Sequence, residues 1–160
     1  MHASRLYFAL VLALLFAAFG AHAQVQNFRT HLSGAEEVPP NASAAQGQAI
    51  FRISSDGSKI HFQLNIANIQ NVTQAHIHRA PAGSNGPVVA WLYPSAPPAQ
   101  LIDGRSDGVL SAGVITAANL VGSLAGQPLE ALIELMASGE TYVNVHTSQF
   151  PPGEVRGQIR

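Results

Sequence analysis

Ala49-Ile50-Phe51-Arg52-Ile53-Ser54-Ser55-Asp56-Gly57-Ser58-Lys59-Ile60-His61-Phe62-Gln63-Leu64-Asn65-Ile66 is the stretch on which the fold class turns. Ala49, Phe51 and Ile53 alternate with Ile50, Arg52 and Ser54. After Ser55-Asp56-Gly57, Ile60, Phe62, Leu64 and Ile66 alternate with Lys59, His61, Gln63 and Asn65. An extended chain turns successive side chains to opposite faces, so a period of two gives each segment a dry and a wet side. Asp-Gly between two such segments is turn chemistry, because glycine takes the positive φ that a tight reversal needs. The stretch reads as an antiparallel hairpin.

The same alternation extends in both directions. Phe28, Thr30 and Leu32 oppose Arg29, His31 and Ser33, and further strands are expected at 72–78, 88–92, 108–115, 141–147 and 154–159. Gly- and Pro-rich turns at 80–87 and 150–153 separate them. About eight short strands at this spacing imply an all-β sandwich or barrel. One short helix breaks the pattern: Pro128 suits a first helical position, and Leu129, Leu132, Ile133 and Met136 share one face before Gly139. Such a stripe is expected to cap the core. A weaker helical turn is expected within 116–124.

At the amino terminus, Arg5 precedes an apolar run from Leu6 to Phe19, and Ala21-His22-Ala23 supplies a small-x-small cleavage pattern. Residues 1–23 are expected to be a signal peptide cut between Ala23 and Gln24, since the run is shorter than the roughly 20 residues of a membrane span. The mature protein is then exported, periplasmic or secreted, with no membrane span. It holds seven basic and nine acidic side chains, without the basic footprint of a nucleic-acid binder. The chain has no cysteine, which excludes disulfides, thiol nucleophiles and thiolate metal sites.

The residues that can carry chemistry are histidines. His76 and His78 form an H-x-H pair on an expected strand, so their rings leave the same face about 6.5–7 Å apart. Two rings at that spacing can converge on one metal ion. His146 shares a strand face with Tyr142 and Asn144, and His61 lies on the polar face of its own strand. Imidazoles without thiolates suit Cu(II), Zn(II) or Ni(II). Tyr142 and Asn144 can flank such an ion. Glu154 and Arg156, two residues apart, are expected to form an ion pair. Gly104-Arg105-Ser106-Asp107-Gly108 matches a nucleophile-elbow pattern in letters only, because an alternating strand follows where the elbow needs a helix; it reads as a β-turn.

Four stretches, in order, resemble the chordin-type (CHRD) domain: Leu32-Ser33-Gly34-Ala35-Glu36-Glu37-Val38-Pro39-Pro40; Ala75-His76-Ile77-His78 with Asn85-Gly86-Pro87-Val88; Tyr142-Val143-Asn144-Val145-His146-Thr147; and Pro152-Gly153-Glu154-Val155-Arg156-Gly157-Gln158-Ile159. The resemblance implies one domain over 24–160, of the single-domain exported bacterial type. It also implies an immunoglobulin-like fold related to copper/zinc superoxide dismutases. His76-Ile77-His78 and the loop after it look like that enzyme's copper-binding strand, with His146 as a candidate third ligand. The zinc-site residues and the bridging histidine have no counterpart here.

Three functions follow as expectations. The first is a binding protein with copper or zinc on His76, His78 and His146, the rings oriented by acidic groups. The second is a metal-free interaction module contacting a protein or glycan. The third is a dismutase-like redox enzyme, with Arg79 as the one candidate for steering an anion.

Overall fold

A computed structural model describes residues 27–160. The signal-peptide reading lies on residues outside this range. The described chain is all-β with one α-helix, as the alternation implies. Strands β1 (Asn27–Ser33), β2 (Gln46–Ile53), β3 (Ile60–Arg79), β4 (Val88–Tyr93) and β5 (Ile102–Ile115) precede helix α1 (Leu129–Ala137). Strands β6 (Thr141–Thr147) and β7 (Val155–Gln158) complete the fold.

The expected hairpin forms between β2 and β3. Phe51 pairs with Phe62 and Ala49 with Leu64, while Ile53 and Ile60 close the loop. In that loop Gly57 takes φ 70. The Asp56 carboxylate receives the Ser54 and Ser58 hydroxyls and the Ser58 N–H, which pull it down to about 2.

Seven strands form instead of about eight, because the segments expected at 60–66 and 72–78 are one strand of 20 residues. Asn68 and Asn71, at φ 55 and 53, mark its bend. Asparagine tolerates the left-handed region better than most residues because its short side chain bonds locally. The bend lets β3 change neighbours: its first half pairs with β2 and β5, its second with β6 and β4. The pairings β3–β2–β1–β7–β6–β3 therefore close on themselves into a barrel-like ring.

A second correction concerns residues 104–108, which are strand, not turn. They lie within β5, with Gly104 and Gly108 at positive φ near the register shifts against β3. Two left-handed glycines in a strand are the mark of bulges, which turn chemistry resembles in sequence. The weaker turn near 116–124 resolves into two 3-10 turns, Ala117–Asn119 and Gly122–Leu124.

Pro128 stands at the N-cap of α1, one position before its expected place. Leu129, Leu132 and Met136 are buried in the common core, and Ile133 packs against it half-buried. Gly139 at φ 73 stops the helix, with Glu140 N–H on Leu135 O at 2.8 Å and Gly139 N–H on Met136 O at 3.2 Å. The core is mostly aliphatic with Phe28 and Phe51, and the side chains of Phe51, Ile60, Leu64, Ile77 and Leu132 have no exposed surface. Each such side chain contributes roughly 1.5–3 kcal/mol of transfer free energy, which holds a domain without disulfides together.

Every residue of β6 is buried, although only Val143 and Val145 belong to the core cluster. Strand alternation puts Tyr142, Asn144 and His146 on the other face. Loops cover that face, and the functional groups lie between sheet and loops.

Candidate metal-binding histidine cluster

Register brings the candidate histidines together. His76 pairs with Asn144 and His78 with Tyr142, so both rings leave β3 on the same face as His146 on β6. His76, His78 and His146 each offer one ring nitrogen, and the three atoms lie within 4.8 Å of one another. Ring centroids are 5.5 Å apart for His76 and His78, 5.1 Å for His76 and His146, and 6.1 Å for His78 and His146. His76 is 3 % and His146 7 % exposed. His76 and His146 are thus shielded from bulk water.

Two rings are held by backbone carbonyls. His78 Nδ1 lies 2.9 Å from Gly86 O, and His146 Nδ1 lies 2.9 Å from Pro151 O. A carbonyl only accepts, so each Nδ1 carries the proton and each Nε2 keeps its lone pair. His146 Nε2 is 3.2 Å from His76 Nδ1; with a lone pair on the former, His76 donates. His76 Nε2 and His78 Nε2 are buried without a hydrogen-bond partner. The acidic groups expected to orient the rings are replaced in this role by the two carbonyls.

Electrostatics keep the cluster neutral. Burial, then the neighbouring His146 and His78, push His76 down to about 3. Burial lowers His78 to about 4 against the opposing pull of the Gly86 carbonyl, helped by His146 and Arg156. Burial lowers His146 too, while the Pro151 carbonyl acts the other way. At neutral pH all three rings are therefore neutral, His76 and His78 with free Nε2 lone pairs and His146 with its Nε2 lone pair engaged by His76.

Aromatic groups wall the cluster. Trp91 meets His76 edge-on at 4.3 Å, and Tyr142 stacks on His78 at 4.8 Å and 10°. The Arg156 guanidinium lies 3.5 Å from the Tyr142 ring centroid, so His78, Tyr142 and Arg156 form a row across β3, β6 and β7. Arg156 is 2 % exposed and donates to Asn85 Oδ1 at 3.0 Å and Ser84 O at 2.7 Å. Its expected ion pair with Glu154 is absent among the described residues. Glu154 instead accepts from the Ser43 and Thr147 hydroxyls at 2.6 and 2.7 Å. It sits just before β7, outside the regular strand that holds Arg156.

Glu37 is the group that sequence reasoning underused. It is 7 % exposed, and its Oε1 accepts from Asn144 Nδ2 at 2.6 Å. Burial pushes its carboxyl up to about 7, against the opposing Arg156 charge and the Val38 N–H. Asn144 Oδ1 has no partner. Gly153 is required here: at φ 140, a Cβ would overlap Asn144 Nδ2 and Glu37 Oε1. Gly86 is likewise fixed, because a Cβ there would strike Arg79 O. Glu36 and Glu37 are adjacent in sequence, and the 3-10 turn Gly34–Glu36 decides which of the two turns inward.

His61 takes no part. It is exposed on the first half of β3, opposite Arg52 of β2 and Val114 of β5. Arg79 is exposed at the end of β3, its N–H bonded to Pro87 O at 3.0 Å.

The class that emerges is an all-β barrel carrying a neutral, buried imidazole triad under its surface loops. A family model for the CHRD domain matches residues 28–159. The chain belongs to the CHRD-domain family. No curated protein and no solved structure matches it. Among the described residues no helix is long and apolar enough to cross a membrane.

Proposed function

We propose that this is an exported CHRD-domain binding protein that holds a Cu(II) or Zn(II) ion between His76, His78 and His146. The observation that carries the reading is the pair of buried, unpartnered Nε2 atoms within an imidazole cluster. Leaving a buried polar atom unpaired costs about 1–3 kcal/mol, and coordination removes that cost. Nitrogens bound tetrahedrally to one ion at about 2.0–2.1 Å are about 3.4 Å apart. Each of the three histidines has a ring nitrogen within 4.8 Å of one on each of the other two, so small side-chain rotations reach that spacing.

The donor set supports the choice of metal. Three neutral imidazoles without thiolate or carboxylate suit Cu(II) and Zn(II). The carbonyls of Gly86 and Pro151 orient His78 and His146 in the way that partners of metal-bound histidines do. Export is supported by the expected cleavage pattern at Ala21-His22-Ala23, just ahead of the family match that begins at Phe28.

Trp91 is the chain's single tryptophan and touches His76, which makes its emission the natural readout. Cu(II) added to metal-free protein should quench Trp91 fluorescence with one-to-one stoichiometry and give nitrogen hyperfine structure in the electron paramagnetic resonance spectrum. Both signals should vanish in a His76→Ala/His78→Ala variant whose circular dichroism is unchanged. Quenching that survives the double substitution, or binding no tighter than surface adsorption, rules out the metal site and leaves the interaction module.

A further inference from the structure

The outer face of β1 and β2 carries a second feature, which the histidine cluster does not explain. An open groove of about 970 Å³ runs along it, lined by Arg29, His31, Gln48, Arg52 and Arg160 among others. It adjoins a smaller hollow that shares Ile50 and Arg52 and reaches His61 and Gln63 on β3. The pairings Ile50–Gln63 and Arg52–His61 put those side chains on the same face, so the two hollows form one track across neighbouring strands.

The charges in this track are arranged unfavourably. Arg29 N–H bonds to Arg160 O at 2.8 Å and Arg160 N–H to Arg29 O at 3.0 Å, which makes them directly opposed residues of an antiparallel pair. Their Cβ atoms are then about 4.5–5.5 Å apart, a spacing at which like charges destabilise a sheet. Arg52 stands diagonally across, since it pairs with Asn27, two residues from Arg29. All three are exposed. Among the described residues no Asp or Glu side chain lies within ion-pairing distance of any of them. Three of the eight basic residues of a chain with net charge −1 are thus gathered without partners.

We infer that this groove binds an acidic polysaccharide, with Arg29, Arg52 and Arg160 receiving the carboxylates of its uronic acid units. The planar guanidinium pairs with a carboxylate through two parallel hydrogen bonds, which lysine cannot match. His31, Gln48 and Gln63 are suited to hydroxyl groups between the charges. A peptide strand has no place here, because β1 is paired on both edges by β2 and β7, and β2 by β1 and β3. A nucleic acid would need a broader basic surface, and Glu36 lines the groove. The site is separate from the metal reading and gives the interaction-module reading a ligand chemistry.

Affinity electrophoresis in gels containing alginate, a polyuronate, tests the inference, with dextran as the neutral control. Alginate should retard the protein, dextran should not, and added salt should weaken the effect. An Arg29→Gln/Arg52→Gln/Arg160→Gln variant should bind at least tenfold more weakly, and Arg52→Gln alone should show a partial loss. Alginate should raise the melting temperature of the wild-type protein and leave that of the triple variant unchanged. The His76→Ala/His78→Ala variant should bind alginate normally, which separates this site from the metal centre. Equal retardation of wild-type and triple variant, equal retardation by dextran, or binding confined to sulfated heparin or duplex DNA would overturn the assignment.

Discussion

Replacing Glu37 by glutamine should stabilise the protein above neutral pH. Glu37 is nearly enclosed, and its carboxyl titrates at about 7 in the folded chain against 4.5 as the reference value. The folded state therefore holds this proton more tightly than the unfolded state, and its contribution to stability is greatest below pH 4.5. It is lost as pH rises through 7 and is constant thereafter. At 1.36 kcal/mol per unit, the separation of 2.5 units amounts to about 3 kcal/mol, of which about 2.5 kcal/mol accrues between pH 5 and pH 8. Glutamine keeps the oxygen that accepts from Asn144 Nδ2 and removes the titration. Urea denaturation of wild-type and Glu37→Gln protein, both metal-free, should give similar stabilities at pH 5. At pH 8 the variant should be more stable by about 2–3 kcal/mol. The histidines titrate in the same window, but they are common to both proteins and cancel in the difference. A difference that does not change with pH would refute the reasoning, because it would mean that Glu37 is ionised and paired in the fold.

In the Glu37→Gln background the histidine cluster should become visible by acid. His76 and His78 are neutral in the fold down to about 3 and 4 and protonate near 6.5 when unfolded. Stability should hold above pH 6.5 and fall below it, by up to about 1.4 kcal/mol per pH unit for each ring. A flat urea midpoint between pH 6.5 and 4.5 would contradict buried neutral rings, and a further His76→Leu substitution should shallow the slope. Gly153→Ala should cost about 2–4 kcal/mol, since it adds strain at φ 140 and a collision with Asn144 and Glu37. Gly83→Ala, at φ 78 with open space around it, should cost about 1 kcal/mol, so equal losses on denaturation would show that the collision does not matter.

The limits of sequence reading show at particular residues. Alternation at 49–66 determined a hairpin, because a period of two has only one low-energy solution when one face is apolar. The same rule misjudged β3 as two strands: two asparagines at positive φ bend a strand without ending it, and alternation alone cannot tell a bend from a break. It misjudged residues 104–108 for the same reason, since left-handed glycines serve turns and bulges alike. His76 and His78 were placed on one face by spacing alone. Their meeting with His146 was not, because residues some 70 positions apart meet only through strand order, and strand order is a property of the closed ring of pairings.

What the sequence by itself determined is therefore local: a cysteine-free β-rich domain, one capped helix, an H-x-H pair on a strand and the motifs of the CHRD family. Those follow from interactions between near neighbours, which the order of residues specifies directly. The tertiary structure decided the rest. It buried the polar face of β6 under loops, turned Glu37 inward, left two imidazole nitrogens without partners and opposed Arg29 to Arg160. Each depends on which distant segments pack together, and burial then changes the chemistry, because a group removed from water takes its protonation state and its unmet hydrogen bonds from its new neighbours.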